Sequence, residues 1–462
     1  MRIGIDLRCL QDRFLTGVGE YAWRILQAWP QTDKSFRLVG YVNAAGAVNL
    51  PPELESRLTL KRTNIPNKLN NFLLYYGWGQ TMDVWLSQAH KPVQALWFPN
   101  PGFIHWNHKV PAILTLHDLS FIQWPRFFST RGHIWYFPAV KKLLANTVKT
   151  GLRVACVSEH TAADLKTFVP NINPANIKVI YPGVEHKYFA PVTPAALISF
   201  KQRLNLPAPY MLSLGTIEPR KNYQLLIRAY QKILESDKNF PYDLVMAGSW
   251  GWKTGPLKKL IANFKYPNRL RILGYVAAAD KPLLYAGADL FLYPSFYEGF
   301  GMPVLEAMAA GVPVITSLTS SLPEVVGEAG VMLSPYLLNH WVEAIKWLAN
   351  DKASRLQYSS IGRARARRFS WEQSAIQYRD WLLDLTHTPE GHNYKPVDGW
   401  PSMRPARHMP RLIKKRLFGV TSFCLKVSLA LGQALAGGGF APQNHAPQDA
   451  TAVRPWSFTS RL

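Results

Sequence analysis

The chain has 462 residues, 48% hydrophobic and 13% aromatic, so it carries enough apolar surface to fold as a globular protein and is too long for a single core. Lys and Arg number 53 against 29 Asp and Glu, a net +24, which favours polyanionic partners (nucleic acid, an anionic membrane face, phosphorylated substrates) without choosing among them. Three cysteines, Cys9, Cys156 and Cys424, are far apart and odd in number; they form no disulfide framework or paired metal-ligand spacing and fit a reducing cytoplasm.

The opening "MRIGIDLRCL" reads straight into a β-strand, without the basic, apolar and cleavage regions of a secretory signal. Strands are predicted at "IGIDLR" (3–8), "FRLVGYV" (36–42), "ALWFPN" (95–100), "AILTLHD" (112–118), "RVACVS" (153–158) and "IKVIYPG" (177–183), with helices near 19–29, 70–86, 133–150 and 160–168. A proline-rich stretch over 184–209 contains no strand. Beyond it "YMLSLG", "DLVMAG", "RLRILGYV", "DLFLYPS", "PVITS" and "GVMLS" repeat the pattern, with helices near 222–236, 256–264, 302–310 and 338–350. Alternation of this kind predicts parallel sheets covered by helices, and two series predict an α/β protein of two Rossmann-like doubly wound domains facing across a cleft. The expected division is a first domain over 1–184, a linker over 185–209, a second domain over 210–368, a helix over 369–386 returning to the first domain, and a tail over 387–462.

That tail begins proline-rich and without apolar period, as a linker or disordered segment does. It continues into "RLIKKRLFGVTSFCLKVSLALGQALAGGGF" (411–440), where early cations precede apolar residues at helical spacing. Lys426 and Gln433 interrupt the apolar run, which argues against a spanning helix and fits a basic interfacial one; a tail that simply packs on the body or stays disordered is the plainer alternative. Ten Lys/Arg against three Asp/Glu in 387–462 leave +17 of the charge on the body.

Two glycine motifs compete for a phosphate ligand. "TGVGEYA" places Gly17, Gly19 and Ala22 in a G-x-G-x-x-A pattern, but the glycines stand too far from the first strand for the tight dinucleotide turn, and the second strand ends without a ribose-binding acid. A loop facing the cleft is the expectation there. The second motif, "YEGFGMPVLEAMAAG" (297–311), follows the strand "DLFLYPS" and runs into a short helix, whose N-terminus seats anions through free amides and the helix dipole. "LGTIEPRKN" (214–222) places Arg220 and Lys221 at the same sheet edge. Two cations facing the amides of Gly299, Phe300 and Gly301 would hold a diphosphate.

E-x7-E after an apolar strand, with E-G-F-G-x-P inside it, resembles the signature of the retaining glycosyltransferases of family 4, which have the GT-B fold. The resemblance extends over residues 1 to about 386 through "GIDLR…TGVGEYA", "LHD" (116–118), "VSEHTAADL", "IYPGVE", "GTIEPRKN" and "PSFYEGFGMPVLEAMAAGVPVITS". It implies that Glu306 accepts hydrogen bonds from the nucleotide ribose and that Glu298 faces the donor sugar. It implies diphosphate contacts from the amides of Gly299, Phe300 and Gly301 and from Lys221, and places His117 near the reacting carbon. Gly17 and Gly19 would fall in a loop closing over the phosphates, and Val276 would contact the base. Where many members carry arginine after the strand-ending Gly215, this chain has Thr216, so Arg220 is the natural substitute.

The resemblance accounts for the two acids beside an anion seat: phosphates take amides and cations, while Glu298 and Glu306 take sugar hydroxyls, with the helix N-terminus steadying Glu306. The sequence has no Asp-x-Asp, so metal independence is expected, with no cofactor beyond a nucleotide-diphosphate sugar, GDP-mannose favoured. Aromatic and basic residues crowd 61–91 (Tyr75, Tyr76, Trp78, Trp85) and 121–142 (Trp124, Arg126, Phe127, Phe128, Arg131, Trp135, Lys141, Lys142). They suit either core and cleft wall or a membrane interface. With the tail they favour a saccharide or lipid-linked acceptor, an anionic membrane surface at the cytoplasmic leaflet and no nucleic acid. The rival readings are a basic nucleic-acid binder, which leaves the glutamate pair unexplained, and a dinucleotide oxidoreductase using the 17–22 loop.

Overall fold

Runs such as "AILTL" and "YMLSL" are apolar or uncharged at every position, the composition of strands covered on both faces. In the computed structural model each lies inside a parallel sheet with all five of its side chains buried. The structure describes residues 1–387 except 12–14, 33–35, 44–46, 55–56, 64, 79, 88–91, 109, 129–131, 133–135 and 207–208. Arg131, Trp135 and, from residue 388 onward, the predicted linker and basic tail lie outside the described residues.

The first sheet comprises β1 (Arg2–Asp6), β2 (Arg37–Asn43), β3 (Leu58–Thr63), β4 (Ala95–Phe98), β5 (Ala112–Leu116), β6 (Arg153–Cys156) and β7 (Ile177–Val179), in the spatial order 3-2-1-4-5-6-7. The second comprises β8 (Tyr210–Leu214), β9 (Asp243–Ala247), β10 (Leu270–Gly274), β11 (Leu290–Tyr293), β12 (Val314–Ser317) and β13 (Val331–Leu333), in the order 10-9-8-11-12-13. All pairings are parallel: Ile3 lies opposite Leu38 and Ala95, and Met211 opposite Leu244 and Leu290. Each sheet therefore reverses its winding beside its first strand, and the loops leaving β1, β4, β8 and β11 diverge there to open a crevice.

The sequence reading misses some elements and merges others, among them the helix expected over 133–150, which within the described residues is Phe137–Ala145 followed by Thr147–Thr150. The edge strand β3, "LTLKRT", went unpredicted because Lys61 and Arg62, suited to an edge, break its apolar run. The helix expected over 70–86 is two helices, Asn67–Tyr76 and Met82–Leu86, divided where Gly77 takes a left-handed φ of 69° and ends the first. The linker contains a helix, Pro194–Arg203, started by the Thr193 side chain accepting from the Ala196 amide.

After the second sheet the chain returns. Helix Trp371–His387 packs along helix Gly17–Thr32, where the Tyr378 hydroxyl bonds Tyr21 (3.1 Å) and Thr115 (2.7 Å) in the first core. A side chain on Gly183 would collide with the Trp371 amide nitrogen at 2.1 Å, so only glycine lets the outgoing and returning segments cross.

Candidate active site

The predicted diphosphate turn leaves β11 and enters helix Met302–Ala309 through Gly301, whose φ of 116° places it at the helix N-cap. The turn is held from behind. Ser320 Oγ accepts from the Glu298 amide (2.8 Å), and Ser321 Oγ donates to the carbonyls of Glu298 (3.0 Å) and Phe300 (2.8 Å). The Phe300 ring is buried against Tyr181 and Phe369, so only its amide belongs to the turn.

Arg220 and Lys221, on the short 3-10 turn after β8, reach Glu298 directly. Lys221 Nζ donates to its Oε1 (2.7 Å) and Arg220 Nη1 to its Oε2 (2.9 Å). Arg220 also donates through Nε and Nη2 to Glu218 (3.0 and 2.7 Å) and through Nη1 to the Tyr297 carbonyl (2.7 Å). Burial would push the Glu298 carboxyl up, but the two cations outweigh it and hold it at about 2. The motifs assign the cations to a phosphate and Glu298 to a sugar; in the structure they pair with one another, with Glu218 as second counter-ion. Gly215 and Thr216 flank this cluster, Gly215 lying 3.7 Å from Lys221 Cε by its would-be Cβ and Thr216 exposed at the crevice.

Glu306 corrects a second expectation. It is the fifth residue of its helix, beyond the first turn where the dipole acts, and burial raises its carboxyl above the ordinary value despite nearby Lys281. Its Oε2 accepts from the Tyr285 hydroxyl (2.8 Å). Val276 lies half-buried just after β10.

From the first domain, His117 follows β5. Its Nε2 donates to the Pro99 carbonyl (2.8 Å), and burial lowers its pKa. The Gly299 backbone presses on the same segment: a Cβ there would stand 2.0 Å from the His117 carbonyl oxygen. Gly17 and Gly19 are not in a loop but in the first turn of helix Gly17–Thr32, and Glu20 beside them approaches Lys281 of the second domain at 3.8 Å. Where a dinucleotide site would turn tightly from strand to helix, the segment after β1 instead carries a 3-10 helix at Arg8–Leu10.

Several closing contacts gave no sequence signal, because their partners lie over a hundred residues apart. Glu324 caps helix Glu159–Phe168 from the opposite domain, its carboxylate accepting from the amides of Glu159 (2.8 Å) and His160 (2.7 Å). Thr161 Oγ1 donates to the Gly299 carbonyl (3.3 Å), Tyr297 bonds Asp164, and Lys253 Nζ donates to the Arg126 carbonyl (2.6 Å). Phe127 stacks on Phe296 across the same mouth, ring centroids 5.5 Å apart. Among the described residues, no three His, Cys, Asp or Glu side chains group as a metal site, and no helix is long and apolar enough to cross a membrane.

Two parallel sheets of the same winding, with paired cations and acids where their switch points face each other, define a GT-B glycosyltransferase. Residues 16–188 match the family model "Glycosyltransferase Family 4" and residues 195–365 match "Glycosyl transferases group 1". The chain belongs to the family 4 glycosyltransferases. It is 29% identical to the O-antigen chain mannosyltransferase B of Escherichia coli over 79% of this chain and 94% of that protein. Among solved structures, the sucrose-phosphate synthase of Thermosynechococcus elongatus superposes with a TM-score of 0.66 at 19% identity, covering 83% of this chain and 98% of that one. WaaG, a glycosyltransferase involved in lipopolysaccharide biosynthesis, superposes at 0.63 with 17% identity, covering 82% and 99%.

Proposed function

We propose that the protein is a retaining, metal-independent hexosyltransferase that moves a mannosyl-type group from a nucleotide-diphosphate sugar, GDP-mannose favoured, to a saccharide or lipid-linked saccharide in cell-surface polysaccharide synthesis. The observation that carries this is the cluster of Arg220, Lys221 and Glu298 beside the 299–301 turn. The preference for mannose rests on the name of the E. coli relative aligned over nearly its whole length.

In this reading the donor diphosphate lies against the turn amides, Arg220 and Lys221, and Glu306 takes the ribose hydroxyls. The bond from the anomeric carbon to the phosphate oxygen breaks through an oxocarbenium-like state, its electron pair leaving with the diphosphate. Fixed positive charge lowers the barrier where that negative charge grows. The acceptor hydroxyl attacks the same face and passes its proton to the leaving phosphate oxygen, so no side-chain nucleophile is needed. Glu298 and His117 flank the sugar, Val276 the base, and Gly17 and Gly19, now at a helix start, the phosphates. Arg220, Lys221 and the amides supply the positive potential that a divalent ion provides elsewhere, and Arg220 substitutes for the arginine absent at Thr216.

Membrane association at the cytoplasmic face belongs to the same reading. Leu69, Tyr76, Val84 and Trp85 are exposed on helices Asn67–Tyr76 and Met82–Leu86 of a basic chain, and each cation near anionic lipid adds about 1 kcal/mol of attraction.

Thermal-shift titration with GDP-, UDP- and dTDP-sugars tests the donor. One class should raise the unfolding temperature, and Glu306→Ala should abolish that shift while its circular dichroism stays native. Undiminished donor affinity in the variant would defeat the ribose assignment. Transfer should also continue at its full rate in excess chelator, and strict chelator sensitivity would overturn metal independence.

A further inference from the structure

Glu306 is buried without a salt-bridge partner among the described residues, and a tyrosine stands on each of two elements beside it. Tyr285, fully buried on helix Lys281–Ala286, donates to Oε2 (2.8 Å). Tyr188 comes from a different place, the short His186–Tyr188 turn where the chain leaves the first domain. Its side chain is 3% exposed and its ring packs edge-on against that of Tyr285 with centroids 5.8 Å apart. The Tyr188 hydroxyl faces the Glu306 carboxylate but stops short of a well-formed hydrogen bond, and no other group among the described residues takes it. Buried hydroxyls without partners are uncommon in native proteins, so this one calls for an explanation.

We propose that Tyr285 and Tyr188 are positioning residues for the donor ribose. Tyr285 fixes the Glu306 carboxylate through Oε2, which leaves Oε1 to accept from the ribose diol, and the spare Tyr188 hydroxyl completes the hydrogen-bond set when the diol arrives. The inference rests on the proposed role of Glu306 and adds two residues to it, one drawn from the segment between the domains.

The surrounding charges make the arrangement readable by pH. Burial raises the Glu306 carboxyl and Glu20, from helix Gly17–Thr32, adds to the effect; Lys281 and the Tyr285 hydroxyl oppose it. Of the other elements packed on this helix, Arg363 is engaged by the Phe189 carbonyl (2.7 Å) and Glu324 by the amides of Glu159 and His160. Ribose hydroxyls donate to the ionised carboxylate, so nucleotide affinity should fall as pH drops through the Glu306 pKa, approaching about tenfold per pH unit. Removing the Tyr285 hydroxyl withdraws a donor from the ionised form, raises that pKa further, and starts the fall at a higher pH.

The test is calorimetric titration of GDP and of UDP, which share the ribose, into the full chain and its Tyr285→Phe, Tyr188→Phe and Glu306→Gln variants across the neutral and mildly acidic range. Tyr285→Phe should weaken binding about tenfold and shift the pH dependence upward. Tyr188→Phe should weaken binding several-fold while its unliganded unfolding temperature stays level or rises, since an unsatisfied buried hydroxyl has gone. Glu306→Gln should bind weakly and keep only the pH dependence that titration of the nucleotide's terminal phosphate gives. Wild-type affinity in either tyrosine variant, or weakening by Tyr285→Phe that is equal at every pH, overturns the inference. If Glu306→Gln binds like wild type, the ribose assignment itself has failed; if it loses binding while both tyrosine variants are unaffected, only the positioning roles fall.

Discussion

Glu298→Gln is expected to destabilise the unliganded protein by about 3 kcal/mol at neutral pH and to recover much of that loss when GDP or UDP is added. The side chain is 7% exposed and sits between two cations. Arg220 keeps Glu218 when Glu298 loses its charge, but Lys221, 9% exposed, is left with the Tyr293 hydroxyl and, among the described residues, no salt-bridge partner. A carboxyl held at about 2 rather than its ordinary 4.5 gives a figure of the same size, roughly 3 kcal/mol at 1.36 kcal/mol per pH unit. The sign comes from that depression: the contribution is complete above the unfolded-state value and is lost as pH falls from 4.5 towards about 2, so wild type and variant should converge in that acid window. A diphosphate at the proposed position replaces the missing negative charge. Denaturant unfolding with and without nucleotide measures both effects, and a deficit that nucleotide does not reduce would place the diphosphate away from Lys221.

Gly299→Ala is expected to lower turnover by about a hundredfold or more while leaving each domain folded. The added methyl would stand 2.0 Å from the His117 carbonyl oxygen and 3.0 Å from both the His117 carbonyl carbon and Asp118 Cβ. These are mostly backbone atoms of the opposite domain, which cannot swing aside as a flexible side chain would, so the cleft has to widen. Widening separates His117 from the donor turn and weakens the Thr161, Tyr297 and Glu324 bridges together. Displacement of a reacting group by about 1 Å is enough for losses of this order. Steady-state transfer and the scattering radius with bound nucleotide are the measurements. Gly255→Ala is the control, since nothing lies within 4 Å of its would-be Cβ. Full activity in Gly299→Ala, or an unchanged radius, would show that closure does not depend on this contact.

The Rossmann alternation was legible because central strands such as β5 and β8 are apolar on both faces, a requirement of the sheet that composition records directly. Edge strand β3 escaped for the converse reason, since an edge strand needs less apolar cover and tolerates Lys61 and Arg62 within its run. Gly77 was visible as a residue but not as a helix break, because its φ is set by the path the chain takes toward the next helix. For the site, the motif spacing brought Arg220, Lys221, Glu298 and the glycine turn together on one sheet edge, where the structure has them. It did not anticipate that the charges neutralise each other, nor that burial raises the Glu306 carboxyl instead of the helix dipole lowering it.

By itself the sequence determined the two-sheet architecture, the family and the residue types at the crevice, because hydrophobic period and short motifs are local properties of a chain. Only the tertiary structure decided which acid pairs with which cation, that Tyr188 of the connecting segment packs on the Tyr285 that holds Glu306, and that Gly299 bears on His117. Those facts depend on distance and dielectric between groups far apart in the chain, and no one-dimensional pattern encodes either.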